Sequence, residues 1–117
     1  MRIAVVATPY PLEENPSPPL GLTYVAAAFV AVGAEVRILD YIVSGYSKEK
    51  ISKQLDNFQP DAVGATSVTM NFYEAQKILR DVKNCNSDII TMIGGPHVSF
   101  AAAQTLRQCP EIDLIVI

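Results

Sequence analysis

Five short runs of apolar, largely β-branched residues recur along this 117-residue chain at intervals of roughly 25 residues: "RIAVVA" (2–7), "EVRILD" (35–40), "DAVGATSV" (61–68), "DIITMIGG" (88–95) and "DLIVI" (113–117). Most of them are continuously apolar rather than alternating with polar residues. A strand reads that way when both of its faces are covered, and a parallel sheet carrying helices on both sides is the usual reason. This constraint narrows the fold more than any other feature of the sequence.

The intervening segments read as helices. "LGLTYVAAAFVA" predicts a first helix from about Leu20 to Val32, closed by Gly33. Ser47 is suited to cap a second helix in which Ile51, Leu55 and Phe58 repeat at helical spacing. Asn71 followed by Glu74 resembles a capping box. In the helix it opens, Ala75, Ile78, Leu79 and Val82 form one apolar stripe, with Lys77 and Asp81 on the other side. "SFAAAQTLRQ" predicts a fourth, short helix. The order β-α-β-α-β-α-β-α-β, with right-handed crossovers, predicts an α/β domain with a doubly wound five-stranded parallel sheet. The flavodoxin-like (Rossmann-like) strand order 2-1-3-4-5 is expected, with the switch point between strands one and three. One domain over 1–117 is expected. Because the last run is an apolar strand with nothing after it, that domain is expected to have been excised from a longer chain.

Composition removes several classes of function. A net charge of −3 and scattered Lys and Arg disfavour nucleic acid. Two cysteines, Cys85 and Cys109, and a single histidine, His97, cannot supply the roughly four ligands of a structural zinc site or an iron–sulfur cluster. The uncharged stretch around residues 20–34 is shorter than the roughly 20 apolar residues a membrane-spanning helix needs. No signal peptide is evident, and two reduced cysteines suit the cytoplasm.

Ligands of doubly wound sheets bind beyond the carboxyl ends of the strands, which directs attention to loops 8–19, 66–71 and 94–98. The first, "TPYPLEENPSPP", holds five of the eight prolines. It is stiff, lacks the N–H groups of a phosphate cradle, and matches neither GxGxxG nor a Walker loop. A flavin phosphate loop is also missing, as are the aspartates of a phosphorelay receiver, whose places hold Thr8-Pro9 and Thr66-Ser67. The second loop offers the hydroxyls of Thr66, Ser67 and Thr69, which either hydrogen-bond a ligand or cap the next helix. The third, Gly94-Gly95-Pro96-His97, permits close backbone approach, whether to a ligand or within a tight turn.

Taken in order, "PPLGLTYVAAAFVAVGAEVRILD", "PDAVGATSVT", "IGGPHVSF" and "EIDLIVI" resemble the cobalamin-binding domain at the N-terminus of radical-SAM enzymes. That group includes anaerobic magnesium-protoporphyrin IX monomethyl ester cyclases and cobalamin-dependent methylases. The wider family carries DxHxxG after strand one, SxL after strand three and GG after strand four. Thr66-Ser67-Val68 falls on SxL with threonine in place of serine, and Gly94-Gly95 falls on GG. Gly21 falls near the last glycine of the first motif, whose aspartate and histidine are absent. The radical-SAM branch generally lacks that histidine as well.

The resemblance implies a domain that holds cobalamin base-off, without a protein histidine on cobalt, for a radical-SAM domain downstream in the same chain. That partner would bring S-adenosylmethionine and a 4Fe-4S cluster, so this chain alone is not expected to be catalytic. Tyr10, Val68 and Met70 are candidates for the corrin face, and Pro96 and His97 for contacts around the ring. Ala26, Ala27, Ala28, Ala101, Ala102 and Ala103 would leave room for the nucleotide tail, or simply allow close helix–sheet packing. Two other readings stay open: a structural or interaction domain of this fold without cofactor, and a sensor of another small molecule.

Overall fold

A computed structural model describes residues 1–8, 20–41, 45–66, 72–94, 107 and 109–116. The elements are β1 (Arg2–Ala7), α1 (Leu20–Ala31), β2 (Glu35–Asp40), α2 (Lys48–Phe58), β3 (Ala62–Thr66), α3 (Phe72–Cys85), β4 (Ile90–Gly94) and β5 (Leu114–Val116). All strands pair in parallel, in the order β2-β1-β3-β4-β5. This is the doubly wound, flavodoxin-like sheet that the continuously apolar runs predict.

The two faces of the sheet are covered unequally. On one side α2 and α3 bring Ile51, Leu55, Phe58, Ala75, Ile78, Leu79 and Val82 onto Ala4, Val6, Leu39, Val63, Ala65 and Ile93. Burying each large side chain in such a core contributes about 1.5–3 kcal/mol. On the other side a smaller cluster joins Ile3, Val5, Ala7 and Ala62 to Ala26, with Phe29, Val36 and Met92 at its margin. There α1 packs on β1 and β2. Of its alanines only Ala26 meets the sheet, while Ala27 and Ala28 face outward. The expectation that all three border a slot is therefore corrected for these two, because one helical turn turns them away from the sheet. Ala101–Ala103, and the predicted fourth helix apart from Arg107, lie outside the described residues.

Strand and helix limits differ from expectation where side chains intervene. The Asn86 side chain accepts the Asp88 N–H at 2.9 Å, and this turn delays β4 to Ile90. The chain leaves α1 through Gly33, whose φ of 94° suits glycine. Ser47 caps α2 as expected, its hydroxyl accepting from the Lys50 N–H at 3.2 Å. Asn71 lies outside the described residues.

Asp81 is the clearest correction. Placed by its spacing on the solvated side of α3, it is 5% exposed. Its carboxylate accepts the Tyr46 hydroxyl at 2.5 Å, and the Lys48 ammonium stands 3.9 Å away. Tyr41 packs edge-on against Tyr46 and donates to the Gln54 side chain. Burial, and then the bond to Asp81, pushes the Tyr46 phenol far above its ordinary value, so it remains a donor. The pair pins the approach to α2 onto α3. Replacing Tyr46 with Phe leaves a buried carboxylate short of a donor, and urea unfolding should show a loss of about 1–3 kcal/mol.

A second polar cluster sits at the amino ends of β4 and β5. Lys83 reaches Asp113 at 2.6 Å and the Ile89 carbonyl at 2.8 Å. Asp113 also accepts the Thr91 N–H at 3.0 Å, and Thr91 donates its hydroxyl to the Glu111 carbonyl at 2.5 Å. Partial burial alone would raise the Asp113 carboxyl, but the bonds from Lys83 and Thr91 outweigh it and hold the group below its ordinary 3.8. A carboxyl lowered by folding stabilises the folded state above its unfolded value, and that contribution fades as pH falls through the folded value. The stability gap between wild type and Asp113→Asn should therefore be constant near neutrality and shrink below about pH 3.8 in urea titrations.

Candidate functional site

The carboxyl edge of the sheet is formed by the ends of β1, β3 and β4, at the switch point where α1 and the following helices diverge to opposite faces. Of the residues singled out in the motifs and loops at this edge, three fall within described elements. Thr66 ends β3, Gly94 ends β4, and the two are direct partners in the strand register. Gly21 is the second residue of α1, in the turn that opens at the same edge. Tyr10, Ser67, Val68, Thr69, Met70, Gly95, Pro96 and His97 lie outside the described residues.

Beneath this edge, on the α1 side, the described residues cover the sheet incompletely. Side chains alternate along each strand, so this face carries Ala62 and Gly64 of β3, Ile90, Met92 and Gly94 of β4, and Leu114 of β5. Ile90 is 38% and Leu114 51% exposed, and Gly64, Met92 and Gly94 are half-buried. The β1 row beside them, Ile3, Val5 and Ala7, is fully buried under α1. The result is a trough between α1 and the β4–β5 side. Its floor lacks a side chain at Gly64 and at Gly94. The sequence analysis passed over Gly64. Its signal was available: an isolated glycine inside a strand run marks a close approach of something to the backbone.

Among the described residues on the trough's floor the side chains are apolar, and the polar networks of Asp81 and Asp113 lie away from it, on α3 and at the amino ends. Among the described residues no group of three or more His, Cys, Asp or Glu is placed to hold a metal ion. No described helix is long and apolar enough to cross a membrane. Cys85 is exposed and Cys109 buried, both unbridged.

Residues 14–117 match the B12 binding domain family. The chain belongs to that family. Among curated relatives, a methyltransferase of Pyrococcus horikoshii is 38% identical over 99 residues, an alignment spanning 85% of this chain and 21% of the relative. The anaerobic magnesium-protoporphyrin IX monomethyl ester cyclase of Rubrivivax gelatinosus is 34% identical over 100 residues, spanning 85% of this chain and 18% of the relative. The chain thus spans about a fifth of the length of these relatives.

Solved structures agree on the fold. The cobalamin-dependent S-adenosylmethionine radical enzyme OxsB superposes with a TM-score of 0.78 at 23% identity, over 97% of this chain and 16% of that one. A cobalamin-binding protein from Desulfitobacterium hafniense DCB-2 superposes with a TM-score of 0.68 at 18% identity, over 98% of this chain and 52% of that one. The chain is a cobalamin-binding domain related to those of the radical-SAM cobalamin enzymes, and the sequence resemblance stands.

Proposed function

We propose that this domain binds cobalamin base-off, with the corrin ring over the carboxyl edge of β3 and β4 and the nucleotide tail in the trough beside Gly64 and the partly exposed row of β4. The trough itself carries this reading. Its floor at Gly64 is a cradle that a Cβ would partly fill, since a Cβ there would stand 3.5 Å from the Met92 terminal methyl. An apolar strip at Gly64 and Met92, bordered by the partly exposed Ile90 and Leu114, suits a flat aromatic base, and a hydroxyl-rich edge suits the polar rim of a corrin.

In this reading Gly94 and Gly95 let the ring approach the backbone, and the Thr66, Ser67 and Thr69 hydroxyls bond its amide side chains or the tail phosphate. Val68, Met70 and Tyr10 present apolar surface to the ring, Gly21 allows α1 to start close to it, and Pro96 and His97 border it. Loop 8–19 contains no histidine, and His97 follows β4 rather than β1. A base drawn into the trough is held away from the cobalt and is not replaced by an imidazole from the first loop. Bound there, cobalamin supplies a cobalt centre able to carry a methyl group. The domain's own part is to hold and orient the ring and to keep water from its lower face.

The relatives' length supports a role as one module of a longer radical-SAM polypeptide that methylates or cyclises its substrate, a magnesium-protoporphyrin ester among the candidates. Such a polypeptide would carry S-adenosylmethionine and a 4Fe-4S cluster outside these 117 residues. The cytoplasm suits that oxygen-sensitive chemistry.

The direct test is to mix the purified chain with hydroxocobalamin, gel-filter it and record the visible spectrum of the protein peak. The expected result is co-eluting colour with a base-off spectrum, unchanged in type by His97→Ala. A colourless peak from folded protein would instead assign the chain to the cofactor-free members of the fold.

A further inference from the structure

The trough is not smooth. Gly64 and Met92 are neighbours across the β3–β4 register. The Met92 side chain does not stand straight up from its own strand. Its terminal methyl lies 3.5 Å, and its Cβ 3.9 Å, from where a Gly64 Cβ would be. Met92 therefore leans over the glycine and occupies part of the space that the missing side chain leaves. It is half-buried, packed at the margin of the cluster formed by Ile3, Val5, Ala7, Ala26 and Ala62. Next to it on β5 stands Leu114, its register partner, itself half exposed.

Methionine is unbranched, has three rotatable bonds and offers a polarizable sulfur that packs favourably on aromatic rings. A leucine or isoleucine here would be a fixed wall, whereas methionine over a glycine is an adjustable one. We infer that Met92, leaning over Gly64, is a specificity-determining residue for the ligand's tail: its side chain sets how far an appended aromatic base can enter the trough and packs against that base once it is in. This rests on the cobalamin reading above and goes beyond it, because that reading places the tail in the trough without saying which residues decide its entry.

A side chain added at position 64 must take its space from Met92 or from the ligand. Alanine makes only an ordinary van der Waals contact at 3.5 Å, so Gly64→Ala folds. Valine, with two more carbons, pushes the Met92 methyl back into the trough. The wild type should prefer cobalamin to cobinamide, the same ring without its nucleotide, by about tenfold or more.

The experiment measures dissociation constants for both corrinoids by visible absorbance on folded protein, with circular dichroism as the folding control. Gly64→Val should weaken cobalamin about tenfold and leave cobinamide within about twofold. Gly64→Ala should move in the same direction by about threefold, and it decides the matter if the valine variant does not fold. Adding Met92→Ala to the valine variant should recover most of the lost cobalamin affinity, because it removes the displaced side chain.

Equal weakening of both corrinoids, no weakening of either, or no recovery in the double variant overturns the assignment to Met92 and Gly64. A wild type that holds both corrinoids equally tightly overturns it together with the placement of the tail in the trough, while leaving the binding of the ring intact. A wild type that binds neither removes the cobalamin reading and this inference together.

Discussion

A parallel sheet whose strands are apolar along their whole length must bury both faces, and everything distinctive about this domain follows from how unequally it does so. On the α2–α3 side the demand is met: Ile51, Ile78, Leu79, Val63 and Ile93 are sealed from solvent. On the α1 side, among the described residues, α1 closes only the β1–β2 half. What remains is a strip over β3, β4 and β5 where apolar side chains are absent at Gly64 and Gly94 or left partly in contact with water.

The polar interior divides the molecule in the same way. Arg2 donates its backbone N–H to Asp61 at 2.8 Å and its guanidinium to the Phe58 carbonyl at 3.1 Å. Lys83, Thr91 and Asp113 make the second knot, also at the amino ends of strands. These bonds tie the end of the sheet opposite the candidate site and hold the strands in register there. The carboxyl edge, by contrast, is left to the loops that carry the hydroxyls, the paired glycines and the only histidine. Rigidity at one end and chemistry at the other is the division a doubly wound sheet permits, because its βα loops all emerge on one side.

Much of the architecture was legible in the chain. The apolar runs located all five strands, Ser47 marked the start of α2, and Gly33 marked the exit from α1. The limits of β4 were not legible, because a local side-chain bond at Asn86 decides where that strand begins. Asp81 was misplaced for a related reason. Helical spacing puts it off the main stripe, but a tyrosine from a distant segment reaches over and makes burial of its carboxylate favourable. For the candidate site, the structure shows that Thr66 and Gly94, which begin two of the loops the sequence marks, are partners in the strand register. Gly64 and Met92 went unnoticed, since one reads as a weak strand residue and the other as ordinary core.

The sequence by itself determined the class of fold, the strand order and the family, because each depends on pattern along the chain: continuous apolar runs, helical stripes, and short motifs in a set order. Only the tertiary structure decided which alanines of α1 touch the sheet, that Asp81 is buried, and that Met92 leans over Gly64. Those depend on which segments meet in space. Residues 64 and 92 are far apart along the chain and become neighbours only when β3 and β4 pair in their particular register.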